Sequence, residues 1–173
     1  MRIGIPAETR SGEHRVAATP ETVKKLAGAT KDAPAKHRIL IQSGAGVSAS
    51  IPDADYQAAG ATIVAAAAEI YGQSDIILKV RAPDAGEIAQ MKSGAVLVGL
   101  LNPYSADAIG AYAKQGLTAF ALEWLPRSTR AQSMDVLSSQ ANIAGYKAVI
   151  VAADAYQRFM PMLMTAAGTV KAA

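Results

Sequence analysis

"DIILKVRAPDAGEIAQMKSGAVLVGL", Asp75–Leu100, is the stretch on which the fold turns. Two short, near-continuous apolar runs, Asp75–Val80 and Ala95–Leu100, flank "APDAGEIAQM", which Pro83 and Asp84 open as a helix. A strand that faces water on one side alternates; one buried on both faces does not. Apolar strands joined by a helix of about ten residues therefore predict parallel neighbours with helices packed on the sheet.

The same pattern extends both ways. "RIGIP", Arg2–Pro6, reads as the first strand, and Thr19-Pro20 caps and opens the helix "PETVKKLAG", which Gly28 ends. "ILIQ", Ile39–Gln42, is the next strand; Asp53 caps a short helix "ADYQAAG", and Thr62–Val64 is an edge-like strand. "AAAAEIYGQ" is helical by propensity, Ser105 caps "ADAIGAYAKQG", and "LTAFAL", Leu117–Leu122, closes the series. The expected class is α/β, a doubly wound, mainly parallel sheet in a flavodoxin- or Rossmann-like lobe, followed by a long C-terminal helix from about Met134 to Phe159. The chain divides as 1–132 for the lobe, 133–160 for the connecting helix, and 161–173 for a tail without periodicity, read as a linker or truncated end.

With 51% hydrophobic and 18% charged residues in 173, a packed core is expected rather than disorder. The net charge of +3 comes from interleaved signs, with no basic stripe or aromatic ladder, so no nucleic-acid partner is expected. The absence of cysteine removes disulfides, thiol catalysis and thiolate metal sites, and His14 and His37 lack ligand spacing. The first ten residues do not read as a signal peptide, and no apolar run is long enough to span a bilayer, so no direct membrane insertion is expected.

Four segments carry polar chemistry. Gly44-Ala-Gly46-Val-Ser-Ala49 matches G-x-G-x-x-A after a strand, but Ser50-Ile-Pro52 interrupts the helix that a dinucleotide fingerprint needs, and a tight surface loop is the better reading. "SGEHRVAATP" places Arg15 after the first strand, where a crevice opens; its guanidinium either grips a carboxylate or phosphate or forms a structural ion pair. Lys79 lies inside a buried-looking strand and must snorkel, pair with a carboxylate such as Glu8, or serve a pocket.

The fourth segment is "LPRSTRAQSMDVLSSQANIAGY", Leu125–Tyr146. Arg127, Gln132, Asp135 and Ser138 gather around a helix start, and Asp135, Ser138, Ser139 and Asn142 share one helical face by their spacing. A planar amide such as a nicotinamide carboxamide needs donor and acceptor together, which arginine, glutamine and aspartate supply. Plain capping, with Ser133 as N-cap and Asp135 favouring the helix dipole, is the competing reading, and it leaves Arg127, Gln132 and Asn142 without a role.

At these residues the sequence resembles a known family. "MRIGIPAETRSGEHRVAATPETVKKL", "SDIILKVRAP" and above all "RSTRAQSMDVLSSQANIAGYKAV" are similar to the NAD-binding α subunit of proton-translocating NAD(P) transhydrogenases, from Met1 to about Gly168. The resemblance implies that Arg127, Gln132, Asp135 and Ser138 belong to the loop holding the nicotinamide end of NAD(H), with Ser139 and Asn142 beside it. Arg127, Gln132 and Asp135 are then the residues closest to the chemistry. It implies two α/β lobes joined by long helices, of which the second, carrying the true dinucleotide fingerprint, lies outside these residues. It further implies a homodimer, a membrane-embedded partner subunit with a domain holding NADP(H), and a cytoplasmic place peripheral to the inner membrane.

Alanine dehydrogenase is the sister family and shares the "RIGIP" opening. That resemblance makes Arg15 and Lys79 an anion site for a substrate carboxylate, but where that family has a catalytic histidine this chain has Asn102, in "LLNPYS". An amide exchanges no proton, so amino-acid oxidation becomes the alternative function. A non-catalytic dimerisation or docking lobe is the other.

Overall fold

The computed structural model describes residues 1–28 and 37–172. The expected domain spans 1–132 and 161–173 each include positions outside that description. The chain forms two compact units, Met1–Pro126 and Arg127–Ala173, so the division falls at Pro126 rather than at 132.

The first unit is a doubly wound α/β lobe. Its strands are β1 (Arg2–Ile5), β2 (Arg38–Gln42), β3 (Thr62–Val64), β4 (Ile76–Arg81), β5 (Val96–Leu100) and β6 (Thr118–Ala121). They form one sheet in the order β3-β2-β1-β4-β5-β6, with every neighbouring pair parallel. Helices α1 (Pro20–Ala27) and α2 (Asp53–Ala58) pack with one face, where Val23 and Tyr56 meet Ile3, Ile5, Ile39 and Ile41. Helices α3 (Ala67–Gln73), α4 (Ala85–Gln90) and α5 (Ala106–Gln115) cover the other, where Tyr71, Ile88 and Tyr112 meet Ile77 and Leu97. Coverage is uneven: Val96, Val98 and Leu100 are half-buried and Phe120 is exposed.

Local chemistry explains the helix starts. Thr19 Oγ1 accepts from Thr22 N at 3.3 Å with Pro20 in the first turn. Asp84 and Glu87 form a reciprocal capping box, Asp84 Oδ1 accepting from Glu87 N at 2.8 Å and Glu87 Oε2 from Asp84 N at 2.9 Å. Ser105 Oγ accepts from Ala108 N, and Gly116 ends α5 at φ 73, where glycine carries no Cβ penalty. Asp53 departs from expectation. Pro52 occupies the cap position, and the Asp53 carboxylate instead accepts from Ser43 Oγ at 2.7 Å and Gly44 N at 2.9 Å.

The second unit contains a 3-10 turn Gln132–Met134, the helix α6 (Val136–Ala155) and an antiparallel hairpin of β7 (Leu163–Thr165) and β8 (Gly168–Val170). Helix α6 is shorter at both ends than the expected 133–160. Asp135 caps it, so Gln132–Met134 directly before it form a 3-10 turn and not part of the α-helix, and Tyr156 leaves it at φ −86, ψ 105. The hairpin lies in the tail expected to be a linker or truncated end. Its strands are three residues each, too short to show an alternation, and Gly168 supplies φ 140 at the turn while Thr165 Oγ1 accepts from Ala167 N. Among the described residues no helix is long and apolar enough to cross a membrane.

Gly4 is required by close approach rather than by its torsions. A Cβ there would lie 2.7 Å from Ile70 Cγ2 and 2.9 Å from Ser74 Cβ, at the seam where α3 lies on β1. Gly4→Ala is expected to lower stability by roughly 1–3 kcal/mol in urea unfolding, the usual penalty of overpacking. Gly72→Ala, also in α3 but with open space around the new methyl, should leave stability unchanged or raise it by about 0.5–1 kcal/mol.

Candidate functional site

The strand order reverses between β1 and β4, and in an open parallel sheet the crevice at the carboxyl ends of such strands is where ligands bind. The segment after β1 and the end of β4 meet there. Glu8 Oε1 accepts from Val80 N at 2.6 Å and its Oε2 from Arg81 N at 3.2 Å. Lys79 points into the sheet's α3–α4 side, its side chain 1% exposed. Its Nζ donates to Glu87 Oε1 at 2.7 Å and stands 3.8 Å from Glu8 Oε2. Tyr71 Oη also donates to Glu87 Oε1, at 2.7 Å, and Thr9 Oγ1 approaches the same oxygen at 3.4 Å. Burial, and then the bond to Glu87, push the Tyr71 phenol far above its ordinary range. Of the readings open for Lys79, the structure holds the paired one: a buried ammonium matched by two carboxylates.

Arg15 also closes on a carboxylate. Its Nε and Nη2 donate to Glu13 Oε1 and Oε2 at 2.7 and 2.6 Å, a fork on a fork. That bond, more than any other influence, holds the Glu13 carboxyl down at about 2. Beside the pair lies an open polar cleft lined by Arg10, Ser11, Gly12, Glu13 and Arg81. Arg10 donates to Ala82 O at 3.2 and 3.3 Å, which leans the segment after β1 onto the exit from β4.

The glycine segment is a loop and not a phosphate cradle. Val47–Ala49 form a 3-10 turn, Ser50 is left-handed at φ 61, and α2 begins only at Asp53. The Gly44 amide, which a pyrophosphate would need, is taken by the Asp53 carboxylate. A negative side chain at that position opposes a negative ligand.

In the second unit the residues of Leu125–Tyr146 are grouped around the start of α6. Asp135, not Ser133, is the N-cap: Oδ1 accepts from Ser138 N at 3.0 Å and Oδ2 from Ser138 Oγ at 2.6 Å. Ser139 Oγ donates to Asp135 O at 3.1 Å. The Ser138 hydroxyl and then its N–H hold the Asp135 carboxyl below its usual range, and the positive charge of Arg127 adds to the effect. Arg127, Gln132, Ser138, Ser139 and Asn142 are exposed, while Asp135 is half-buried. Gln132 opens the 3-10 turn, its N–H donating to Ser128 O at 3.1 Å. The geometry thus joins Asp135, Ser138 and Ser139 by hydrogen bonds, brings the Arg127 charge to bear on them, and leaves the Gln132 and Asn142 carboxamides on the surface of the same unit.

The sequence reading missed Glu87, Tyr71 and Glu123. Only Glu87 had a local signal, the D-x-x-E spacing of its capping box. Glu123 accepts from Leu101 N at 3.1 Å and Asn102 N at 2.9 Å, a link between strands that no local pattern announces. Among the described residues no group of His, Cys, Asp and Glu is placed to hold a metal ion.

Residues 4–144 match the family "Alanine dehydrogenase/PNT, N-terminal domain". The chain is 47% identical over 176 residues to an NAD(P) transhydrogenase alpha-subunit chain of Rhodospirillum rubrum, covering 98% of this chain and 44% of that protein. It is 36% identical over 154 residues to alanine dehydrogenase of Mycobacterium tuberculosis, covering 88% and 39%. Among solved structures, the transhydrogenase from Sinorhizobium meliloti superposes with a TM-score of 0.90 at 49% identity, over 100% of this chain and 50% of that one. The chain therefore spans about half the length of the relatives it matches.

Lys79→Met should cost roughly 3–5 kcal/mol in urea unfolding, because it leaves Glu87 and Glu8 buried without their cation, and Glu87→Gln added to it should return part of the loss. Glu13 makes a second prediction. Its carboxyl is depressed in the folded state, so its bond to Arg15 stabilises above the ordinary 4.5 and is lost as pH falls toward 2. Glu13→Gln should flatten that part of the acid-unfolding curve and leave the neutral-to-alkaline part parallel to the wild type.

Proposed function

From a chain that belongs to the alanine dehydrogenase/PNT N-terminal domain family, we propose a role as part of the NAD(H)-binding component of a proton-translocating transhydrogenase. The single observation that carries the reading is the polar cluster at the start of α6: Asp135 bonded to Ser138 and acted on by the Arg127 charge, with the Gln132 carboxamide exposed in the preceding turn. That donor set suits a nicotinamide carboxamide, which offers one acceptor and two donors in a plane. It contains no nucleophile and no group poised to exchange a proton. Direct hydride transfer between two nicotinamides needs neither; it needs the ring carbons held roughly 3–3.5 Å apart away from water.

NADH, when bound, supplies the hydride to NADP⁺ held by a partner domain. The chain's own residues do the positioning. Arg127 anchors the carboxamide or a nearby phosphate, Gln132 orients the ring and reaches toward the partner nucleotide, and Asp135 with Ser138 fixes the carboxamide and ribose. Ser139 and Asn142 extend the polar face of α6. The pyrophosphate and adenosine belong on a second lobe beyond residues 161–173, since the Gly44 loop is closed by Asp53. NAD(H) affinity in these residues alone is accordingly weak.

The partners in this reading are a second copy and a membrane-embedded subunit carrying the NADP(H) domain, which puts the protein in the cytoplasm, peripheral to the inner membrane. Exposed apolar side chains along α6 support a partner for it: Ile143, Tyr146, Val149, Ile150 and Val151 are all open to water. Amino-acid oxidation is disfavoured by Asn102, whose side chain carries no titratable proton, and by Lys79, whose ammonium is already paired.

Gln132→Asn keeps the amide and shortens its reach by one methylene. In the complete subunit assembled with its partner, it should slow stopped-flow transhydrogenation by at least tenfold, about 1.4 kcal/mol of transition-state binding, while the NADH dissociation constant changes less. An unchanged rate rejects the role.

A further inference from the structure

The turn after β1 and the exit from β4 carry two cations that the fold leaves unmatched. Arg10, Ser11, Gly12, Glu13 and Arg81 line an open cleft of about 550 Å³. Glu13 N donates to Arg10 O at 3.1 Å and closes the turn, with Gly12 at φ 77, where glycine sits without strain. The walls come from the segments after β1 and β4, the two strands between which the sheet order reverses.

The carboxylates of these segments already have their donors. Glu13 is gripped by the Arg15 fork at 2.7 and 2.6 Å. Glu8 takes the Val80 and Arg81 amides and faces the Lys79 ammonium, and Asp84 caps α4 through Glu87 N. Arg10 and Arg81 are left over: among the described residues neither joins an ion pair. Arg10 gives Nε and Nη2 to one backbone oxygen, Ala82 O, which fixes the side chain without cancelling its charge and keeps Nη1 free. The Arg81 guanidinium donates to nothing among the described residues. Its charge still reaches the cleft wall: behind the Arg15 bond, it is one of the influences that hold the Glu13 carboxyl at about 2.

Three guanidiniums against the single Glu13 carboxylate leave two positive charges around one opening. A carboxylate ligand would match one of them. A phosphate monoester carries about two negative charges at neutral pH and offers three oxygens, enough for both guanidiniums. We infer that the Arg10–Arg81 cleft binds a phosphoryl group, as inorganic phosphate or as the phosphate of an organic monoester. Its residues all belong to the first unit, so the site stands whether or not a nicotinamide sits at the start of α6. It is also distinct from an anion site at Arg15 and Lys79, whose charges are already paired.

The experiment titrates the ¹⁵N-labelled full chain at constant ionic strength with inorganic phosphate, AMP, adenosine and acetate, read at the Arg10 and Arg81 Nε–H and the Gly12 amide. Phosphate and AMP should give saturable shifts at these signals, adenosine none, and acetate should bind at least tenfold more weakly, about 1.4 kcal/mol. AMP binding tighter than phosphate assigns an organic phosphate; AMP binding no tighter assigns the inorganic ion. Arg81→Gln breaks no ion pair among the described residues and should lower phosphate affinity at least tenfold with an unchanged melting temperature. Adding Arg10→Gln should abolish saturation; should that double variant not fold, Arg81→Gln alone decides. Shifts that never saturate, acetate binding as tightly as phosphate, adenosine matching AMP, or full affinity in Arg81→Gln overturn the assignment.

Discussion

Where a parallel sheet ends, its last amides lose their ladder partners, and in this protein side-chain oxygens from neighbouring segments replace them. Gln42 Oε1, at the end of β2, accepts from Ala7 N at 2.9 Å. Glu8, past β1, takes the amides of Val80 and Arg81; Glu123, past β6, takes those of Leu101 and Asn102. An amide left without a partner in a half-buried rim costs about 1–3 kcal/mol, so these bonds fix the rim as firmly as a strand pairing does. The rim is also the side of the sheet on which a ligand crevice opens, and the chain exits to the Arg127 loop from it.

Two of these acceptors are carboxylates, and one stands next to a buried cation. Lys79 meets Glu87 directly and Glu8 at 3.8 Å, and Glu87 is in turn held by Tyr71, Thr9 and the Asp84 amide. Removing one member leaves the others charged or unpaired, which makes the cluster rigid and intolerant. It draws together α3, α4, the end of β4 and the segment after β1. Lys79 lies at the centre of this cluster, its ammonium paired with Glu87 at 2.7 Å.

The fold was largely legible because its signals are local. Thr19, Asp84 and Ser105 cap their helices within three residues, and the strands Ile76–Arg81 and Val96–Leu100 follow from unbroken apolar runs. Asp53 departs from its expected role for the same reason: its partners, Ser43 and Gly44, lie in the loop before it and not in its own helix. Ser133 and Asp135 offer equal local claims to cap α6. A carboxylate can accept from the Ser138 N–H and the Ser138 hydroxyl at once, one bond to each oxygen, and this favours Asp135. The cluster at Arg127, Gln132 and Asp135 could be picked out by its spacing. The side-chain bonds that close the rim of the sheet could not, because Glu8 and Val80 are 72 residues apart and Glu123 and Leu101 are 22 apart.

The central claim is that the guanidinium of Arg127, the carboxamide of Gln132 and the carboxylate of Asp135 receive a nicotinamide carboxamide. Side-chain ¹⁵N resonances report on it directly when reduced nicotinamide mononucleotide is titrated against the labelled protein, with AMP as the control. The account predicts that the Gln132 NH₂ and Arg127 Nε–H signals move with the mononucleotide and stay still with AMP. Shifts confined to the Gly44–Ala49 loop or to the Arg10–Arg81 cleft, with Gln132 and Arg127 unmoved, would contradict it.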